Sequence, residues 1–263
     1  MGFYRGLCRL AGAGPRRADR FLRGTQGDSS RDSRSFSPGS ARRPRGLAEF
    51  RGRTDLWRLM SKPVIGLAGG IGSGKSAVGR LLVEFGAGLI ESDRLGHEQL
   101  TTPEVVRTLS SWWGQEILDA EGLVDRSRVG RIVFADRAQR DRLEKLLHPR
   151  IGLRRGELKR QYQADPNITM IVIDAPLLYE AGIDTECDRV IFIEADKRIR
   201  VQRVLSVRCW SAQELDRREK MQSALDAKKR RADHIVTNNS SLDALRGQVT
   251  HLVTRILGID PRS

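Results

Sequence analysis

The chain has 263 residues, 39% hydrophobic and 30% charged, and carries a formal net charge of +14. That length allows one large domain or two small ones, with enough chain for a sizeable core. It contains no apolar run long enough to span a membrane and no signal-peptide core, and its three scattered cysteines (Cys8, Cys187 and Cys209) form no metal-ligand pattern and imply no disulfide framework.

The charge sits unevenly. Residues 1–59 hold fourteen Arg, no Lys and five acids, a net of +9, whereas residues 60–263 carry only +5. The first segment is rich in Arg, Gly and Ser and has no apolar period, so it is expected to be disordered. Three explanations compete for it. One is a nucleic-acid-binding tail. The second is an organelle transit peptide, against which its five acids weigh. The third, adopted here, is a segment that is not translated, with Met60 as the start of the fold. The expected compartment is reducing cytoplasm.

From Met60 onward the elements alternate. A strand is predicted at 64–68, then a helix over 75–85, and a short strand at 88–90 that ends at Glu91-Ser92-Asp93. Thr101-Thr102-Pro103-Glu104 opens a helix that runs through Trp112 and Trp113. Helical, charged text continues to about residue 164, with Leu143, Leu146 and Leu147 on one stripe and Ile151 continuing it past Pro149. Strands follow at 168–174 and 189–194, apolar on both faces as buried parallel strands are. Charged helices fill 196–231, a last strand lies at 234–237, and a helix closes the fold at 242–257. The predicted class is α/β: a central parallel sheet with helices on both faces. In such sheets ligands sit at the carboxyl ends of the strands, where the glycine-rich loop, Asp93 and Asp174 all fall.

That loop reads Gly69-Gly70-Ile71-Gly72-Ser73-Gly74-Lys75-Ser76, a complete G-x-x-x-x-G-K-S pattern between a strand and a helix. Backbone N–H groups from Gly70 to Ala77, aided by the helix dipole, are expected to cradle phosphates. Lys75 would reach the β- and γ-phosphates of ATP, and Ser76 would hold Mg²⁺. The absence of Asn-Lys-x-Asp argues against a GTPase, and the chain is too short for a motor with a second domain. A small phosphotransferase remains, which needs a base, a further carboxylate for the metal, and arginines over the transferring group. Asp93 reads equally as the base or as a helix cap. Asp174 reads equally as a magnesium-side carboxylate or as a strand-end turn residue. The arginines of 198–231 are too many for one to be chosen by position.

The residues from Ile65 to Ser76 resemble the opening of the dephospho-coenzyme A kinase family. Later landmarks appear in the family's order: Ile90-Glu91-Ser92-Asp93, Gly122-Leu123-Val124-Asp125-Arg126 with Val133-Phe134, Leu147-His148-Pro149, Asp174-Ala175-Pro176-Leu177-Leu178-Tyr179-Glu180, Gln222, and Ala232 to Asn238. The resemblance covers 62–257. It implies a P-loop kinase fold with a helical acceptor-binding insertion at about 94–164 and a lid at about 200–230. It also implies ATP-dependent phosphorylation of dephospho-coenzyme A on its ribose 3′-hydroxyl. By resemblance Asp93 is the base, Lys75 and Ser76 hold phosphate and magnesium, and Arg208 with Arg203 belongs to the lid. Asn238 lies near the adenine, while His148, opening a helix, and Arg126 border the acceptor. Two positions depart from the family pattern. Glu91 stands where Asp is usual, and the Arg203-to-Arg208 gap is one residue longer than usual. Two rival readings are another small-molecule kinase, such as one acting on nucleoside monophosphates, and a nucleic-acid-binding nucleotide switch. The second would carry its basic charge into the folded domain, which at +5 does not do so. No membrane and no specific nucleic acid are therefore expected as partners.

Overall fold

The computed structural model describes residues 61–208, 210–220 and 222–258, without the side chain of Arg208. The segment 1–59, and the expectations placed on it, lie outside the described residues. Five strands form one parallel sheet: β1 (Val64–Gly69), β2 (Ala87–Glu91), β3 (Met170–Asp174), β4 (Arg189–Glu194) and β5 (His234–Thr237), in the order β2-β3-β1-β4-β5. β1 lies at the centre and is buried along its whole length.

Alternation along the strands divides the core into two layers. Ile65, Leu67, Val172, Ile191 and Ile193 pack with Val78, Leu81 and Leu82 of α1 (Lys75–Glu84) and with Leu245, Val249 and Val253 of the closing helix Leu242–Ile256. Val64, Ala68, Ile171, Ile173, Val190 and Phe192 face the other way, onto the helices between β2 and β3. Those are α2 (Ser92–Leu100), α3 (Pro103–Trp113), α4 (Arg126–Ala135) and α5 (Arg137–Ala164). Between β4 and β5 lie α6 (Lys197–Arg208), α7 (Ala212–Glu219) and α8 (Leu225–Arg230); the closing helix is α9.

Two sequence expectations change. Asp93 does not cap a helix: α2 starts at Ser92, Glu91 holds the N-cap position, and Asp93 lies inside the first turn. His148 does not open one either, because α5 runs unbroken through Pro149. Proline inside a helix costs about 3 kcal/mol. Here Leu143, Leu147 and Ile151, four residues apart and all buried, keep the helix on the core.

The far end of α5 is fixed by a residue that the periodicity does not flag. Lys62, 8% exposed, donates from Nζ to the carbonyls of Tyr162 (2.7 Å) and Asp165, while its backbone pairs with the Gln163 amide in both directions at 2.9 Å. Orphan carbonyls at the helix end are thereby satisfied, and α5 is tied to the start of β1. Burial lowers the Lys62 ammonium below its usual value, against the charge of Asp165.

Candidate active site

The loop between β1 and α1 needs its glycines. Gly74 adopts φ 96°, and a Cβ there would lie 2.1 Å from Asn238 Nδ2. Gly69 adopts φ 145°, and its Cβ would lie 2.6 Å from the Ile193 carbonyl. The N-cap Gly74 makes no side-chain cap hydrogen bond to α1, whose first turn holds no acid. The helix's positive dipole end therefore suits an anion. Lys75 is buried, and its Nζ donates to the carbonyls of Gly69 (2.8 Å) and Gly70 (3.0 Å). The ammonium thus waits folded over the loop's own backbone.

The carboxylates lie at the same end of the sheet. β3 stands between β1 and β2, so Asp174 is register partner to Leu67 on one side and to Glu91 on the other. Ser76 Oγ donates to Asp174 Oδ2 at 3.2 Å, which joins the first residues of α1 to the end of β3. Asp93 follows β2 by two residues and is half-buried, one strand further from the loop than Asp174. A hydroxyl and a carboxylate this close offer the hard oxygen ligands that Mg²⁺ prefers, with other positions left to water or phosphate. Among the described residues no cluster of three or more His, Cys, Asp or Glu could form an all-protein metal cage.

Behind the loop, Arg203 of α6 donates to the Ser73 carbonyl (3.4 Å) and to Asn238 Oδ1 (3.2 Å), and Asn238 Nδ2 donates to the same Ser73 carbonyl at 2.8 Å. Arg208 ends α6, and its side chain lies outside the described residues. Arg200, one of the undifferentiated basic residues of the sequence, proves to be 5% exposed. It donates to the Ala195 carbonyl (3.0 Å), the Ile71 carbonyl (3.4 Å) and the Glu219 carboxylate. Ile71 itself packs with Val204, Trp210 and Leu215. The Arg200–Glu219 ion pair thus joins α6 to α7, while the loop shares with these helices the Arg200–Ile71 hydrogen bond and a small apolar core. Sequence position could not single out Arg200, because its loop partner Ile71 lies 129 residues away.

A second buried cation secures α8. Lys228, 2% exposed, pairs with Glu180 at 2.7 Å, and the same carboxylate oxygen accepts the Ser223 N–H at 2.9 Å. Burial pushes the Glu180 carboxyl up, but the hydrogen bonds from Lys228 and Ser223 and the Lys228 charge outweigh it, leaving the pKa below its usual value. Lys229 pairs with Glu194 at the end of β4, at 2.6 Å.

Among the helices between β2 and β3, Arg126 occupies the first turn of α4, half-buried, and its side chain makes no hydrogen bond or ion pair with another described residue. Asp125 caps that helix through the N–H groups of Ser127 and Arg128. His148 projects from α5. Much of its surface is exposed, yet desolvation lowers its imidazole below the usual value against the opposing charge of Glu144.

A family model described as Dephospho-CoA kinase matches residues 63–244. A dephospho-CoA kinase of Symbiobacterium thermophilum is 37% identical over 179 residues, covering 68% of this chain and 74% of that one. One from Thermobifida fusca is 35% identical over 179 residues, covering 67% and 88%. Among solved structures, one from Thermus thermophilus superposes with a TM-score of 0.63 at 27% identity, covering 74% of this chain and 98% of that one. A dephospho-CoA kinase from Campylobacter jejuni, at 24% identity, shares the fold with a TM-score of 0.58 over 74% and 97%. Among the described residues no helix is long and apolar enough to cross a membrane.

Proposed function

The chain belongs to the dephospho-CoA kinase family, and from that premise we propose that it transfers the γ-phosphoryl group of ATP to the ribose 3′-hydroxyl of dephospho-coenzyme A, the final step of coenzyme A synthesis. The observation that carries the reading is the Ser76–Asp174 pair beside the uncapped start of α1. It joins a phosphate cradle to a hard-oxygen metal position at one end of the sheet.

Mg²⁺ would be held by Ser76 directly and by Asp174, and when bound it neutralises charge on the β- and γ-phosphate oxygens. The loop residues Gly70 to Ala77 bind and orient the phosphates through backbone N–H groups. Lys75 exchanges the Gly69 and Gly70 carbonyls for phosphate oxygens, bringing its charge to the group being transferred. Asp93 takes the proton of the attacking hydroxyl. The stretch 94–164 holds the acceptor, with Arg126 as a cation whose side chain has no partner among the described residues and His148 as a neutral polar contact. Segment 200–230 serves as the lid, carrying Arg203 and Arg208, and closure excludes water from the transfer. The test is the product: with ATP, Mg²⁺ and dephospho-coenzyme A, mass spectrometry should show one added phosphoryl group on the ribose 3′ oxygen. Phosphate on another position, or none, refutes the assignment.

A further inference from the structure

Asn238 was expected near the adenine, yet its carboxamide is already occupied by the phosphate loop. Its Nδ2 donates to the Ser73 carbonyl at 2.8 Å, its Oδ1 accepts from Arg203 at 3.2 Å, and its own N–H is fixed on the Glu194 carbonyl at 2.8 Å. The residue is 6% exposed. It presses on the loop so closely that position 74 has no room for a Cβ. Ser73 and Gly74 share one peptide plane. In a trans peptide the Gly74 N–H points opposite to the Ser73 carbonyl, and no peptide bond among the described residues is cis. That N–H has no partner among the described residues.

We infer that Asn238, backed by Arg203, is a positioning residue: by gripping the Ser73 carbonyl it aims the Gly74 N–H at the nucleotide phosphates, and it does not read the base. The inference rests on the nucleotide-binding reading above. A lone backbone donor can turn away from an anion. One whose peptide plane is held from behind by a buried amide is set before the ligand arrives. The same carbonyl also accepts from Arg203 at 3.4 Å, so the lid helix feels the loop through this pair.

The test compares ATP with inorganic triphosphate, each with Mg²⁺, as ligands for the full chain and for Asn238→Ala, with melting temperature recorded. A base reader contributes nothing to triphosphate, whereas a phosphate-loop clamp serves both ligands alike. The expected result is a loss of about tenfold in affinity for both, of the size of one hydrogen bond, with kcat falling alongside and the folded state retained. A loss confined to ATP, or unchanged affinity for both in a folded variant, overturns the inference. Should Asn238→Ala fail to fold, Asn238→Ser, neutral and too short to reach Ser73, carries the same comparison. If the unaltered chain binds neither ligand, the nucleotide reading itself falls; if it binds both and only the variant's pattern is wrong, the clamp alone falls.

Discussion

The phosphate loop with its strand ends and helices α6 to α8, proposed above as the lid, meet at Ile71, but they are built differently. The loop hangs from β1, which is buried along its length, and from α1, whose Val78, Leu81 and Leu82 are buried in the core. The lid has four buried apolar residues in its own cluster, one of them borrowed from the loop, and leaves Leu205 and Val207 exposed. Arg200 to Glu219 joins α6 to α7, and what ties the segment to the rest of the fold is largely polar: Arg200 to the Ile71 carbonyl, Lys228 to Glu180 and Lys229 to Glu194. Few apolar contacts and many charged ones mark a segment that opens at lower free energy than the core. The contrast suits the chemistry. Phosphate donors must be rigid before ATP arrives, and a lid must move to admit and release it.

The comparison can be tested at both ends. On the core side, Asp93→Asn should lower kcat by about 10²–10⁴ and leave ATP affinity and melting temperature nearly unchanged, as loss of a general base does. An unchanged kcat would remove Asp93 from the chemistry. Lys75→Ala should cost about 10²–10³ in kcat, the range for a lost electrostatic stabiliser. A variant that melts early with normal turnover would mean that Lys75 serves only the loop's carbonyls. On the lid side, Arg200→Ala strands the Glu219 carboxylate and the Ile71 carbonyl, at a cost of roughly 1–3 kcal/mol. Hydrogen exchange should then rise in α6 and α7 while β1, β3 and α1 stay protected. A rise everywhere would mean that lid and core form a single cooperative unit.

The smallest effect is a matter of pH. The Glu180 carboxyl lies below its usual value of 4.5 because Lys228 and Ser223 outweigh burial. Its stabilising contribution is therefore complete above that value and is lost as the pH falls through the folded-state pKa. Thermal melts of the unaltered chain should weaken on acidification below about pH 4.5, and Glu180→Gln should flatten that slope while starting less stable at neutral pH. Equal slopes would mean that the pair does not anchor α8.

The same contrast decides what could be read from the sequence. The loop is legible because its fixed positions are contiguous and flanked by a strand and a helix. The strands are legible because residues such as Ile171, Val172 and Ile173 are apolar on both faces. Strand order is not written locally, so Asp174 could not be seen to stand between the loop and Asp93. Arg200 and Asn238 find their loop partners 129 and 165 residues away; no local pattern sets Arg200 apart, and the motif that ends at Asn238 does not say that its amide grips the loop. His148-Pro149 looks like a helix start because proline favours the first turn. The buried stripe of Leu143, Leu147 and Ile151 overrides that local signal. Lys62 caps α5 across 100 residues, again out of reach of any local pattern.

The most direct test of the whole account is ADP release by the full chain with ATP and Mg²⁺, with dephospho-coenzyme A and adenylate offered side by side as acceptors. The account predicts rapid turnover with dephospho-coenzyme A, background rates with adenylate, and loss of the dephospho-coenzyme A rate in Asp93→Asn. Turnover with adenylate and none with dephospho-coenzyme A would contradict it.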